Sequence, residues 1–584
     1  YFAKPDTLNG SFFIRHHAYR VRIDDVEHYV SGLVAYRKFL VQGALSQNLE
    51  PAKPNKALNA KVQETNFWFL NQNFGFQRSG VENAALLRYR VFEQEMHVRP
   101  VLLTCRYNPR LHESIEKLVA NKALPESSVC WSVHDYFQDA ELVSTQLNTG
   151  QSLFDNPMLR SQLVAGRRDI RVTSLQGQLL MYVVRNPVND ALIHINHFSG
   201  GVKFRKDYYD SRGFLSCMQY LDSDGAVNHE HYLRPDGTLA IAKLYKRIDK
   251  KQLLSDVRIH NSTGVLVACL HSESEWLTYA LVSMLKKRGG KHVLIVDKNR
   301  YWYLPAVAAR DHLHRESPGQ VAVVPVIHAL HTHTVADIAT SPTNSNFRDI
   351  LHDIKRPDAV ITLTDQQMND ITARYGAGQI FPIGHSCEIK NSIPEFKTRD
   401  RFRIVSMVRY SPEKNHQLAI AAFAKVVKRY PEARLDFYGF AVAGSSLLSD
   451  LKTQLELLGL QNHVGLNDWT DDPATQYVHA GLSLLTSQAE AYSLAIMESI
   501  CHACPAIAFD VPYGPSHLIV HGETGLLAPF GDTDALADQI LSVFDSYEFH
   551  EGLSKKAFAS ANRFSHAEAA HNWRQLFSVV GVSS

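Results

Sequence analysis

The 584-residue sequence has no apolar run near the ~18 residues that a membrane-spanning helix needs. Its most apolar stretches, such as Val321 to Ile327, are strand-sized. No charged segment followed by an apolar core opens it in the manner of a secretory signal. It starts at Tyr1 rather than Met, which leaves room for residues ahead of it. An excess of either charge is missing too: 61 Lys and Arg stand against 59 Asp and Glu, for a formal +2. The basic residues are scattered, so no field is set up for nucleic acid. Cysteine is scarce: Cys105, Cys130, Cys217, Cys269, Cys387, Cys501 and Cys504 are odd in number and irregularly spaced. That fits reduced thiols and argues against a disulfide framework. Cys501 and Cys504 form a C-x-x-C, but with no second pair and no thioredoxin-like setting they read as small buried residues at a helix end. Together these absences describe a cytoplasmic chain without a transmembrane segment, with no nucleic acid among its partners. Peripheral contact with the inner face of a membrane stays open.

What is present is ample apolar material, 45% of residues, spread over a length that suits three or four domains. Residues 1–64 carry one or two short strands within Phe12 to Arg22 and a polar linker from Gln47 to Pro54, an extension without an assigned role. From Asn66 the pattern is that of an α/β domain: an apolar strand (66–72), a glycine-bearing loop (73–80), a helix (81–96) and a second strand (98–107). Val81, Ala84, Ala85, Val91 and Phe92 lie on one side of the helix, and Arg88 interrupts their stripe. Residues 151–255 read as an inserted antiparallel β-meander, because short alternating strands are separated by turn signals such as Asp222-Ser223-Asp224-Gly225 and Pro235-Asp236-Gly237. The α/β pattern resumes in GVLVACL (264–270), HVLIVD (292–297), VAVVPVIH (321–328) and AVITLT (359–364), continuous runs that suit strands buried in a parallel sheet. A second α/β unit follows, with strands at 401–408, 433–439, 480–487 and 504–510 and a helix at 416–431. The expected architecture is therefore α/β, two Rossmann-like domains (65–150 with 256–385, and 386–565) facing a cleft, with the meander inserted in the first and a final helix at 566–584.

Chemistry concentrates in QAEAYSLAIMES (488–499). Glu490 ends a loop after a strand, Ser493 is a good N-cap, and Glu498 lies one and a half turns into the helix. A helix N-terminus offers free amides and a positive dipole end, which suits a diphosphate. Alone, two glutamates at this spacing would be surface residues. A neighbouring loop, MVRYSPEKNH (407–416), puts Arg409 at a strand end and Lys414 five residues on, aimed at the same crevice. A guanidinium and an ammonium on one diphosphate would stabilise the charge that builds as a sugar–phosphate bond breaks. A third signal is His328, His331 and His333 after the 321–328 strand. No Cys, Asp or Glu lies within that run, so a metal site is not favoured and none is expected.

Arg409-x4-Lys414 followed by Glu490-x7-Glu498 resembles the retaining GT-B glycosyltransferases that use nucleotide-sugar donors. AFDVPYGPSHLIVHGETGLL (508–527), SGVENAALLRYRVF (79–92) and the meander narrow the resemblance to the teichoic-acid α-glycosyltransferases and the relatives that glycosylate serine-rich adhesins. The resemblance implies that Arg409 and Lys414 hold the donor diphosphate, that Glu498 binds the ribose and that Glu490 contacts the transferred sugar. The backbone of Ala491, Tyr492, Ser493 and Leu494 would cap the phosphates, Ser79 and Gly80 would approach them from the other domain, and His328 would touch donor sugar or acceptor. It also implies that the last helix crosses back onto the first domain and that the cleft hinges near Pro382 and Gly384. Ala491, Ser493 and Ala503 stand where the family has glycine, and Asp468 replaces another.

The expected activity is retaining transfer of glucose or N-acetylglucosamine from UDP-glucose or UDP-N-acetylglucosamine to a poly(glycerol- or ribitol-phosphate) wall polymer, without a cofactor. The basic turn VKFRKDYYDSR (202–212) is a candidate contact for such a polyanion. The alternatives are transfer to Ser/Thr of a secreted adhesin, with a companion subunit or as a homo-oligomer, and a non-catalytic companion that binds glycoprotein. The last need not keep Arg409, Lys414, Glu490 and Glu498 together. A dehydrogenase is disfavoured because GFQRSG (75–80) is not G-x-G-x-x-G.

Overall fold

The computed structural model describes residues 65–581, except 142, 250, 336, 391, 393, 394, 442 and 443. The strands expected within residues 12–22 and the linker at 47–54 lie outside the described residues.

Thr65–Asn71 (β1) is buried along its whole length, as a strand covered on both faces must be. It pairs in parallel with Val101–Thr104 (β2) and with Lys291–Val296 (β14). Val129–Ser132 (β3) and Val321–Pro325 (β15) complete a sheet of order β15-β14-β1-β2-β3. Gly80–Met96 (α1) follows β1 and buries Ala84, Ala85, Val91 and Phe92, as the spacing predicts. Arg88, which breaks that stripe, is buried with them. Val360–Thr362 (β16) pairs with Ile380–Pro382 (β17) and reaches the main sheet through a bridge from Ile361 to Val326.

Between β3 and β14 the chain forms ten antiparallel strands in sequential order, from Leu159–Leu163 (β4) through Lys251–His260 (β12) to Leu266–Leu270 (β13). The turn glycines read from the sequence, Gly225 and Gly237 among them, adopt the left-handed backbone that tight hairpins need. One expectation is overturned. GVLVACL (264–270) is not a strand of the parallel sheet; it supplies β13, antiparallel to β12 at the meander's edge. Val265, Leu266 and Val267 are each half exposed there. An apolar run alone does not say which sheet a strand joins. The meander therefore runs to Leu270, past the expected limit at 255, and the α/β chain resumes with the helix Glu273–Arg288 (α2).

The second sheet contains Asp400–Met407 (β18), Arg434–Tyr438 (β19), Val464–Asn467 (β20), Ala480–Leu485 (β21), Ala506–Asp510 (β22) and Gly525–Pro529 (β23). Its order is β20-β19-β18-β21-β22-β23, all parallel. The direction of winding reverses between β18 and β21, where open α/β sheets leave a crevice for ligands. The helix His566–Val579 (α3) packs on α1: Trp573 lies 5.3 Å from Phe92, and Phe577 lies 4.8 Å from Phe67 of β1. Among the described residues no helix is long and apolar enough to cross a membrane.

Candidate active site

The carboxyl ends of both parallel sheets open onto one cavity of about 750 Å³. Every site residue expected from the sequence lines it: Ser79, Gly80 and His328 on one side, and Arg409, Lys414, Glu490, Ala491, Tyr492, Ser493, Leu494 and Glu498 on the other.

On the second domain, the loops after β18 and β21 are laced together. Thr486 Oγ1 donates to the Lys414 carbonyl (2.8 Å), Asn415 Nδ2 to the Thr486 carbonyl (3.1 Å), and the Gln488 amide to the Glu413 carbonyl (2.9 Å). The lacing sets Lys414 Nζ 2.6 Å from Glu490 Oε1. Glu490 is held by its main chain as well, accepting from the Tyr513 and Gly514 amides and donating to the Pro512 carbonyl. Arg409 turns to a different partner, Glu413 (Nη2 to Oε1, 2.9 Å). Burial would raise the Glu413 carboxyl, but the Ser411 hydroxyl, Arg409 and Lys414 outweigh it and hold it low. Glu413 also lines the cavity, and sequence reasoning passed over it although it sits inside the same SPEK turn.

Leu494–Cys501 (α4) begins at Ser493, whose hydroxyl accepts from the Ile496 amide. The Leu494 and Ala495 amides have no partner among the described residues, so they and the positive helix end face the cavity. Ser493 has φ 78° and Ala503 φ 55°, left-handed values that favour glycine. The resemblance implies glycine at both positions, and the backbone there suits it. Glu498 is only partly open to the cavity, and burial pushes its carboxyl up to about 7. No hydrogen bond or ion pair reaches that carboxylate among the described residues. Tyr492 is wedged against the linker between the domains: its hydroxyl donates to the His385 carbonyl (3.3 Å), and a Cβ on Gly384 would strike its ring at 2.6 Å.

On the first domain, α1 points its N-terminus across the cleft at α4. A Cβ built on Gly80 would lie 4.0 Å from Leu494 Cδ1, an ordinary contact, so protein packing alone does not demand glycine there. The Ser79 hydroxyl donates to Glu82, whose other oxygen binds Lys298 Nζ at 2.8 Å. Glu82 also takes the Ser79 amide (2.9 Å), so what this helix end offers a ligand is the backbone of Gly80. The three histidines diverge. His328 Nε2 lies 2.8 Å from Asp297 Oδ1. His331 is fully buried, stacked on Tyr513, and burial lowers it to about 4. His333 lines the cavity separately. The three do not gather as metal ligands. The one such grouping among the described residues, Asp256, Cys269 and His271, lies on β12, on β13 and just after β13, at the meander's edge.

The expected basic turn at 202–212 is mostly strand, Val202–Tyr209. Its Arg205 is paired with Asp207, and Arg212 is buried against Asp210 and Asp135. Those two charges are spent inside the fold; Lys203 is exposed and Lys206 lies over the Tyr208 ring, so the lysines are what this segment keeps for a polyanion.

Residues 389–560 match the family model described as glycosyl transferases group 1. The poly(glycerol-phosphate) α-glucosyltransferase of Bacillus subtilis (strain 168) is 22% identical over 88% of this chain and 75% of its own length. The UDP-N-acetylglucosamine–peptide N-acetylglucosaminyltransferase GtfA subunit of Streptococcus parasanguinis is 22% identical over 87% of this chain and 98% of its own. Among solved structures, a mutant of S. aureus TarM in complex with fondaparinux, α-GlcNAc-glycerol and UDP superposes with a TM-score of 0.74, covering 88% of this chain and all of that one at 17% identity. With two parallel sheets facing a cleft and an antiparallel insertion, the chain has the GT-B fold, and its second domain carries a group 1 glycosyl transferase domain.

Proposed function

We propose that the protein transfers glucose or N-acetylglucosamine, with retention, from a UDP-sugar to hydroxyls of a poly(glycerol- or ribitol-phosphate) wall teichoic acid. The observation that carries this reading is the convergence of Arg409, Lys414, Glu490, Glu498 and two facing helix N-termini on one cavity at the switch point of the second sheet. Lys414, Arg409 and the Leu494 and Ala495 amides hold the diphosphate, where preorganised cationic and dipolar groups count most as charge develops on the leaving oxygen. Glu498, a carboxylate without a partner among the described residues, accepts from the ribose diol. Glu490 orients sugar hydroxyls; its ion pair with Lys414 and its bolted main chain make it a poor attacking group. A front-face course follows. The acceptor hydroxyl forms its bond to the anomeric carbon on the side from which UDP departs, and the leaving phosphate oxygen takes the hydroxyl proton. The protein supplies positioning and charge stabilisation.

The likeness to the B. subtilis glucosyltransferase over 88% of this chain supports the wall-polymer acceptor. One observation favours a second reading: the S. parasanguinis peptide transferase is matched over nearly its whole length at the same identity. Transfer to Ser/Thr of an adhesin, with a companion subunit, is that alternative. A transfer assay with UDP-glucose and UDP-N-acetylglucosamine against purified glycerol- and ribitol-phosphate polymers and Ser/Thr-rich peptide decides between them. Product on the polymers is expected; product only on peptide replaces the acceptor, and no product with any pair removes the reading.

A further inference from the structure

We propose that Asp297 is a positioning residue for sugar transfer, acting through His328 as the buried carboxylate that fixes the histidine's tautomer and ring orientation. The inference rests on the transfer reading above. Asp297 follows β14 directly, and its side chain has no exposed surface. Its Oδ1 accepts from His328 Nε2 at 2.8 Å; its Oδ2 accepts from Asn71 Nδ2 at 2.9 Å and from Arg88 Nη2 at 2.5 Å. Three donors from three segments thus close around one carboxylate. Burial opposes the charge, but Arg88 and His328 outweigh burial and hold the carboxyl at about 2.

An ionised carboxylate can only accept hydrogen bonds, so the proton between the two groups sits on His328 Nε2. Nδ1 is then the ring nitrogen left for the cavity that His328 lines. The ring cannot turn freely, because His385 is stacked on it at 5.8 Å with planes 18° apart, and Tyr492 in turn packs on His385 at 5.1 Å. Arg88 is itself braced, with its guanidinium 4.3 Å from the Phe69 ring centre and 5.6 Å from that of Trp573. This arrangement accounts for an arginine in the apolar stripe of α1. It anchors the carboxylate that aims the histidine, and it touches no substrate itself. His328 so held turns Nδ1 to a hydroxyl of the bound sugar or acceptor.

The test is a double-mutant cycle read on kcat, with UDP affinity measured by calorimetry on each variant. Asp297→Asn is expected to lower kcat by about 10- to 100-fold, the usual loss when an outer partner of a working histidine is removed, with UDP affinity unchanged within about twofold. In a His328→Ala background the same substitution should cost less than about twofold, since nothing is left to orient. A purely structural role would give the same loss in both backgrounds, and that result overturns the proposal, as does an unimpaired Asp297→Asn. If Asp297→Asn does not fold, Arg88→Met combined with Asp297→Asn removes both buried charges and enters the same cycle with the same expected outcomes. Wild-type protein that neither binds UDP nor transfers sugar would remove the transfer reading itself. UDP binding and transfer that are indifferent to Asp297 remove only the present inference.

Discussion

Two ion clusters flank the cleft, and they are built in opposite ways. Lys414 and Glu490 meet at its surface, their side chains 17% and 14% exposed, on two loops that leave neighbouring strands β18 and β21. Arg88, Asp297 and His328 meet beneath it, 7%, 0% and 6% exposed, drawn from a helix, a strand end and a loop. The surface pair can exchange one partner for a ligand's phosphate or hydroxyl, because the cavity is there to supply it. The buried cluster cannot: both oxygens of Asp297 already accept hydrogen bonds, and loss of Arg88 or Asp297 strands the other's charge away from water. One cluster is therefore suited to binding and the other to holding shape.

The sharpest way to break this contrast is to remove Arg88. Arg88→Met leaves Asp297 buried beside a single histidine, and the N-terminal domain should lose about 3–5 kcal/mol in denaturant unfolding. Lys414→Met should leave unfolding little changed. A mild Arg88→Met would mean that the buried cluster is no more structural than the surface one. Next in size, Lys414→Ala should lower kcat about 10²- to 10³-fold, as when one preorganised donor to a developing anion is lost; steady-state transfer assays read it, and near-normal turnover would sink Lys414's role.

A smaller effect comes from Glu498. Its carboxyl is raised from 4.5 to about 7 by burial, so the ligand-free fold disfavours the ionised form. Stability from this group is full below pH 4.5 and is lost as pH rises towards 7. Ribose hydroxyls would favour the carboxylate, so UDP affinity should rise between pH 6 and 8, by up to about tenfold per pH unit at the acid end, with a proton released on binding. Titration calorimetry in two buffers of different ionisation enthalpy measures that proton; none released would detach Glu498 from the nucleotide. The smallest change is Ser493→Gly. Relief of the left-handed backbone, roughly 1–2 kcal/mol, should exceed the few tenths lost when glycine replaces a serine cap, giving a small rise in the thermal midpoint.

The same contrast explains what could be read from the chain alone. Arg409 and Lys414 share one loop, and Glu490 and Glu498 lie on one loop and the helix it starts. The strand and helix pattern that places them is local, and so they were legible. Asp297 lies 31 residues from His328 and 209 from Arg88. In the sequence it is only the polar end of HVLIVD, and nothing local says what it faces. The one trace was Arg88 itself, a charge in an apolar stripe whose partner only folding reveals. The meander was legible through its turn glycines, whereas β13 was misplaced because an apolar run at a sheet's edge looks like one at its centre. Ser79 pointed correctly to the cleft, but its hydroxyl is taken by Glu82 three residues on, a local bond that the S-x-x-E spacing had offered.

Convergence of the cationic and acidic groups on one nucleoside diphosphate is most directly tested by calorimetry of UDP with the wild-type protein and with the Arg409→Ala, Lys414→Ala double variant. Binding to the wild type, weakened at least about tenfold in the variant by loss of two charge-assisted contacts, is the predicted result. Equal affinity in the two proteins, or no binding to the wild type, would contradict it.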